Sequence, residues 1–347
     1  MKTGIYCALG GAALFGASTP VAKLLVGEVA PITLAGLLYT GSGLGLALWL
    51  ASRRAAAAGT EHFRFAPGDY KWLAGSVITG GLFGPVLLMI GLSATQASIT
   101  SLLLNLEGVF TALLAWFAFH ENFDRRVLLG MLLIVCGGGL LGWQPGALTL
   151  SWPALAVALA CLCWAVDNNL TRKISAGDAV QIAAIKGLVA GAVNLCVSAA
   201  AGFALPAAKI AGAAMLVGLA GYGVSLVLFV VALRHLGTAR AGAYFSTAPF
   251  IGVALSFALL GDTPDALFWV AATLIAAGVV LHVTEHHQHP HRHEALAHTH
   301  AHEHDEHHGH RHDFDWDGTE PHTHPHEHES VSHSHPHYPD IHHRHGH

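Results

Sequence analysis

Charge is scarce in this chain. Lys, Arg, Asp and Glu make up 11% of its 347 residues against 53% hydrophobic ones, and the mean hydropathy is +0.48. A soluble domain carries about 25% charged residues, so a water-soluble globule is excluded. Cysteine is scarce as well: Cys7, Cys136, Cys161, Cys163 and Cys196 all fall inside apolar stretches, and no disulfide framework is expected. On a helix Cys161 and Cys163 would point about 200° apart, which favours packing over a shared metal. Catalytic patterns are missing too. There is no nucleophile elbow, no phosphate-cradling Gly-Lys-Ser/Thr loop and no zinc-protease His-Glu-x-x-His. The chain is not expected to be an enzyme, to need a cofactor for its main activity, or to bind nucleic acid.

Histidine is rare over most of the chain and crowded at one end, with 25 of the 28 between His282 and His347. This tail repeats itself. Shifting His287 to His312 by 35 residues lays it on His322 to His347, with eleven histidines, Pro290 on Pro325 and Glu294 on Glu329 in register. Residues 1–284 hold 14 Lys/Arg against 10 Asp/Glu, whereas 285–347 hold 3 against 12. A tail so polar cannot bury enough apolar surface to offset its ordering entropy, and is expected to be disordered without metal.

What the remainder does contain is long apolar runs. A hydrocarbon core about 30 Å thick needs about 20 residues of helix, and ten stretches qualify: 4–26, 31–51, 70–92, 97–119, 127–143, 152–170, 179–203, 210–233, 238–260 and 266–283. The N-terminal stretch reads as a first span, not a cleaved signal. Gly137-Gly138-Gly139 in the short fifth span points to tight helix packing. Lys and Arg concentrate in the even loops (Arg53, Arg54, Arg64, Lys71; Arg125, Arg126; Arg172, Lys173; Arg234, Arg240), while the odd loops hold only Lys209. That bias puts both termini, and so the histidine tail, in the cytoplasm of a multi-pass inner-membrane protein.

The two halves are related. GLSATQASITSLLLNLEGV (Gly91 to Val109) aligns without gaps to ALRHLGTARAGAYFSTAPF (Ala232 to Phe250), Glu121 then falls on Asp262, and FGASTPVAK (Phe15 to Lys23) matches WAVDNNLTR (Trp164 to Arg172). Five spans per half is an odd number, so the halves are inverted, as in secondary transporters. The expected fold is an all-α membrane protein of ten transmembrane helices in two inverted five-helix repeats. Its parts are residues 1–143, 144–284 and the tail 285–347.

Phe15-Gly16 with Lys23, and SLLLNLEGVFTALLAWFAFHE ending at Glu121, carry a resemblance. Over residues 1–284 the chain resembles the EamA branch of the drug/metabolite transporter superfamily. The resemblance implies a solute carrier, often an exporter of metabolites or amino-acid-like compounds. The tail lies outside the family pattern. Where the family often has proline in helix four this chain has Gly108, while the second half keeps Pro249, so the kink in helix four is expected to be the weaker one.

Charged groups at membrane depth are costly and mark pathways. Glu107 lies 10 residues into span four, about 15 Å deep. Thr100 and Thr111 share its face, with Ser101, Asn105 and Gly108 on a neighbouring stripe. It could carry a coupling proton, hold a cationic group, or sit in a structural ion pair. Lys186, in span seven, is either its partner, an anchor for an anionic group, or a side chain snorkelling to the interface. Asp167-Asn168-Asn169 in span six should turn at least one polar side chain inward, or cap the helix end. Lys23, near the outer end of span one, is expected to snorkel. The substrate or coupling set is therefore Glu107, Asp167, Lys186, Asn105, Asn168 and Lys23.

Neutral imidazole suits Zn, Ni and Co. In the tail His298, His300, His302, His307, His308 and His310 form one candidate metal module, and His333, His335, His337, His342, His343 and His345 its copy, each expected to be ordered only by metal. The expected partners are lipid, a small-molecule solute and divalent transition metals. Three functions fit: an exporter of a small organic solute with a metal-binding tail, a divalent Ni/Co/Zn exporter fed by that tail, or a metal-buffering membrane sensor.

Overall fold

The computed structural model describes residues 2–56, 65, 67–119, 125–144, 149–174 and 177–284 and, in the tail, 288–292, 296–302, 322–328 and 332–336. Two units are distinguished, Met1–Glu285 and His286–His347. In the first, ten helices are long and apolar enough to cross a membrane: Thr3–Val26, Pro31–Arg53, Asp69–Ser93, Ala97–Leu114, Arg125–Gly142, Trp152–Arg172, Ala179–Ala200, Ala208–Leu236, Ala241–Leu260 and Ala266–Val283. They are spans one to ten, and they fall where the apolar runs placed them. Large apolar side chains such as Leu48, Phe117, Leu216 and Trp269 are exposed on the bundle, as lipid-facing helices require.

Side-chain links at the two ends agree with spans that alternate in direction. Lys23, ending span one, reaches the carbonyls of Leu92 and Thr95 at the end of span three. Arg53, ending span two, meets Asp178 at the start of span seven. His282 Nε2, ending span ten, lies 3.1 Å from the Val127 carbonyl at the start of span five. One end of the bundle therefore carries Arg53, Asp178 and His282, and the opposite end carries Lys23.

Four spans depart from regular α-helix, and they form two matched pairs. Span three contains a π-helical stretch, Val77–Phe83, and span eight contains another, Leu219–Val224. Both are glycine-rich, reading VITGGLF and LAGYGV. Span four is broken between helices Ala97–Leu103 and Leu106–Phe119, and span nine between Ser225–Phe245 and Ala248–Leu260. The chain reverses direction within Ser225–Phe245, since the rings of Phe229 and Phe245 lie 4.8 Å apart.

The break in span four corrects the expectation of a weaker kink there. It needs no proline. The amides of Asn105 and Glu107 bond three residues back, to Leu102 and Leu104, while Asn105 Nδ2 also caps the Leu102 carbonyl at 3.1 Å. In span nine, Ser246 and Thr247 hydroxyls bond the carbonyls of Gly242 and Tyr244 ahead of Pro249. Polar side chains that fold back on the backbone thus stabilise both breaks.

Small residues let the helices cross closely. Spans two and seven meet at Gly43 and Gly187, where a Cβ on Gly43 would lie 2.3 Å from the Leu188 nitrogen. Spans two and eight meet at Gly218, where a Cβ would lie 1.8 Å from the Leu38 carbonyl oxygen. Span five packs on span ten through Gly130 and Gly137, whereas Gly139 of the expected packing triplet has nothing within 4 Å.

The tail unit, taken by itself, has extended stretches Gln288–Arg292, Leu296–His302, His322–His328 and Ser332–Pro336. The first pairs antiparallel with the last, and the second with the third, in the register His298↔His326, His300↔His324, His302↔His322. The pairing joins one copy of the 35-residue repeat to the other.

Gly218→Ala should lower the stability of the detergent-solubilised chain by about 1–3 kcal/mol, the cost of overpacking a tight contact. Gly139→Ala should cost nothing. Thermal unfolding of the two variants checks this, and equal behaviour would refute the close crossing.

Candidate functional site

Spans six and seven bring together the two charges that sequence left unpaired. Lys186 Nζ donates to both oxygens of Asp167, at 2.6 and 2.7 Å, and Thr171 Oγ1 donates to Asp167 Oδ1 at 2.9 Å. Lys186 is 1% exposed and Asp167 6%. Lys186 therefore neither snorkels nor pairs with Glu107. Its side chain points across to span six, where Asp167 and Thr171 sit one turn apart on the same face.

The π-helical stretch of span three closes over this pair. A Cβ on Gly80 would lie 1.9 Å from Asp167 Oδ2, so only glycine fits beside the carboxylate. The widened turn frees the Gly80 carbonyl, which accepts hydrogen bonds from Tyr39 Oη at 2.7 Å and Trp164 Nε1 at 3.0 Å. Asn194 Nδ2 takes the Gly81 carbonyl at 3.2 Å. Spans two, three, six and seven thus converge on one residue. The other half repeats the packing without the charge, since a Cβ on Gly221 in the π-helical stretch of span eight would lie 2.4 Å from Ser18 Cβ. Ser18 is the position matched to Asp167 by the repeat.

Glu107 lies in the first turn of the helix that follows the break in span four. Its Oε1 accepts from Asn168 Nδ2 at 2.8 Å, and Asn168 also reaches Thr111 Oγ1 at 3.4 Å. Asn169 Nδ2 bonds the carbonyls of Thr111 and Ala165, at 3.3 and 2.9 Å. Neither the Arg53–Asp178 nor the Lys186–Asp167 ion pair includes Glu107. Glu107, Asn168 and Thr111 are partly accessible although they lie within the bundle. Asn105 Oδ1, Asn169 Oδ1 and the hydroxyls of Ser101 and Thr19 are buried without a hydrogen-bond partner.

The two breaks face each other, with a Cβ on Gly108 meeting Ser246 Oγ at 3.6 Å. Ser246 follows Phe245, and Phe245 belongs to an aromatic cluster. The Phe15 ring lies 5.5 Å from Phe245, 5.8 Å from Trp164 and 5.8 Å from Tyr222, while Tyr39 and Tyr222 are 5.5 Å apart. Trp164 is one turn before Asn168 on span six, so the cluster is continuous with the Glu107 site. Sequence reasoning did not assemble these rings. Phe15 was visible as part of a motif, but ring contacts among distant helices leave no local signal.

Lys23 belongs elsewhere. It donates to the carbonyls of Leu92 at 2.6 Å and Thr95 at 2.7 Å and so caps the end of span three. Asp262 of the second half accepts from Ser98 N and Oγ, at 3.0 and 2.7 Å, which caps the start of span four. Glu121, its repeat mate, lies outside the described residues. At the other end Arg53 Nη2 donates to Asp178 Oδ2 at 2.6 Å. Burial pushes the Asp178 carboxyl up, but Arg53 and the Gln181 and Val180 amides outweigh it and hold the group below its ordinary value. Arg234 also reaches the Gly177 carbonyl there.

Of the tail's candidate ligands, His307, His308, His310, His337, His342, His343 and His345 lie outside the described residues, and for His298, His300, His302, His333 and His335 only the backbone is described. All five cysteines are free, and among the described residues no three His, Cys, Asp or Glu converge.

Replacing one member of the Asp167–Lys186 pair leaves a buried charge without its partner. Lys186→Met and Asp167→Asn should each destabilise the protein by about 3–5 kcal/mol, and the double variant by much less than their sum. Thermal unfolding of the four proteins measures the coupling, and strict additivity would refute it.

The comparisons agree with this architecture. Residues 2–143 and 151–284 each match the model of the EamA-like transporter family. A protein of Methanothermobacter thermautotrophicus described as an uncharacterized transporter is 25% identical over 286 residues, 77% of this chain and 82% of that protein. A solved crystal structure superposes with a TM-score of 0.61 at 18% identity, over 79% of this chain and 94% of that one, which speaks for the fold.

Proposed function

Since this chain belongs to the EamA-like transporter family and is a membrane transporter of ten spans, we propose that it exports a small organic solute by alternating access around the Glu107 site. The observation that carries this is a carboxylate on a broken helix at mid-depth, held by Asn168 of the opposite half and, among the described residues, outside the Arg53–Asp178 and Lys186–Asp167 ion pairs. A site shared between two inverted halves can be exposed to either side by rocking one half against the other. Glu107, Asn105 and Asn168 then form the substrate or coupling set. Asp167 and Lys186 hold its walls in place, and Lys23 closes one end of the bundle.

The reading extends to orientation. Arg53, Arg125, Arg126, Arg172, Lys173 and Arg234 all lie toward the Asp178 end, and by the positive-inside bias that end faces the cytoplasm of an inner membrane, with both termini there. The tail binds Zn, Ni or Co from the cytoplasm and regulates transport. A divalent-metal exporter is the second reading. The organic-solute reading is favoured because the described residues of the spans gather no group of three His, Cys, Asp or Glu to pass an ion along.

Reconstituted into vesicles and offered a panel of small metabolites, the protein should show saturable counterflow. Glu107→Gln should reduce it about tenfold or more, as expected for losing one charge-assisted hydrogen bond of about 1.5–3 kcal/mol. Counterflow indifferent to the substitution would overturn the site assignment.

Removing residues 285–347 should leave solute counterflow intact and abolish any effect of Zn on it. The isolated tail, titrated calorimetrically with Ni or Zn, should bind more tightly than free imidazole. Loss of cellular Ni, Co or Zn resistance on deletion, with no solute flux in either protein, would favour the metal exporter.

A further inference from the structure

The interior of the bundle is unevenly charged. Of the charged side chains placed deep among the described spans, Asp167 and Lys186 neutralise each other, and Glu107 stands alone with one amide donor. A group at membrane depth in that condition is completed by whatever occupies the site. Where that charge is not met by a coupling proton, the occupant must supply a positive donor. It must also suit the rings of Phe15, Trp164, Tyr222 and Phe245, which come from both halves, Trp164 standing one turn before the Asn168 that holds Glu107.

Aromatic faces attract a cation within about 6 Å of the ring centroid, and a carboxylate binds an ammonium through a charge-assisted hydrogen bond. Asn105, two residues before Glu107, and Asn169, next to Asn168, carry buried side-chain oxygens that are acceptors without donors. They suit the remaining N–H groups of an amine. A hard metal ion is a poor fit, because it needs about six to eight oxygen ligands and this wall is largely aromatic. An anion would meet Glu107 directly, and Lys186, which could have balanced that carboxylate, is already engaged at 2.6 and 2.7 Å by Asp167.

We propose that the site takes an organic cation, an amine bearing an apolar or aromatic group, with the ammonium on Glu107 and the apolar part against Phe15 and its neighbouring rings. This rests on the carrier reading and names the substrate class for the same site. Phe15 sets the preference for the apolar group by touching Trp164, Tyr222 and Phe245 together.

The test uses the purified full-length protein and four probes sharing one ring: 2-phenylethylamine, 2-phenylethanol, phenylacetate and phenylalanine. Calorimetric titration should show the amine bound about tenfold or more tightly than the alcohol or the acid. In Glu107→Gln, which keeps an oxygen acceptor for Asn168, that preference should vanish. In Phe15→Leu, affinity for the amine should fall about three- to tenfold with the charge preference retained. A thermal midpoint equal to that of the unaltered protein shows that each variant is folded. If Glu107→Gln unfolds, Glu107→Asp, which keeps the charge, should retain the preference.

Equal binding of alcohol and amine, tighter binding of phenylacetate, amine binding unchanged in Glu107→Gln, or no amine binding at all would each overturn the proposal. The same probes in vesicle counterflow separate the two claims. Flux of phenylalanine or phenylacetate without binding of the amine removes the cation class and leaves the carrier intact. Binding of the amine with no counterflow of any solute keeps the cation class and removes the carrier.

Discussion

The constraint on which the interior depends is the cost of burying Asp167 and Lys186. Withdrawing either charge from water alone costs several kcal/mol, and the attraction between them offsets this only when the geometry is good and the remaining lone pairs are satisfied. Here both carboxylate oxygens face Lys186 Nζ, and Thr171 donates to one of them. The pair ties span six to span seven. Because the carboxylate fills the space where a Cβ of span three would stand, position 80 must be glycine. The widened turn around it presents the Gly80 carbonyl to Tyr39 and Trp164. The ionic contact therefore requires glycine at position 80, and the widened turn there places two rings of the aromatic cluster.

The repeat makes the asymmetry meaningful. Both halves have a π-helical stretch, a broken span and a glycine pressed against the partner half. The backbone device is duplicated and the charges are not. Asp167 is matched by Ser18 and Glu107 by Ala248, so the structural ion pair and the free carboxylate arise from side chains that only one copy carries. Duplication supplies the two rocking parts. Divergence at a few positions supplies the chemistry between them.

Much of this was legible beforehand, and for a physical reason. Ten apolar runs, the loop charges and the internal match are one-dimensional signals, and the spans fell where they placed them. The polar residues at depth could likewise be singled out, because hydrocarbon makes them costly. Partner choice was not legible. Lys186 could be set against Glu107 or the interface, and only the helix packing brings it to Asp167, 19 residues earlier. The break in span four was underestimated because proline was taken as its signal, whereas Asn105 stabilises the same break by bonding Leu102. The glycine pairs of spans three and eight were visible as packing sites. Their π-helical form depends on what each glycine must avoid in the opposite half.

The placement of the links between halves bears on how such a body can move. Deep inside, the Asp167–Lys186 contact stiffens the second half, and the first half meets it through the Gly80 and Gly81 carbonyls, which accept from Trp164 and Asn194. Toward the ends the halves are joined by lighter contacts, Arg53 to Asp178 at one and Asp262 to Ser98 at the other. The Arg53 side chain is 52% exposed, and exposed pairs are worth about 0–1 kcal/mol. Asp262 contributes on the scale of a helix cap, about 0.5–2 kcal/mol. A carrier must open one end without losing the other, at an energy difference that a single bound solute can tip. Links of about 1 kcal/mol at each end, around an interior held several times more firmly, meet that requirement. With the Asp167–Lys186 contact inside one half, rocking can exchange the weak end contacts while that half stays assembled.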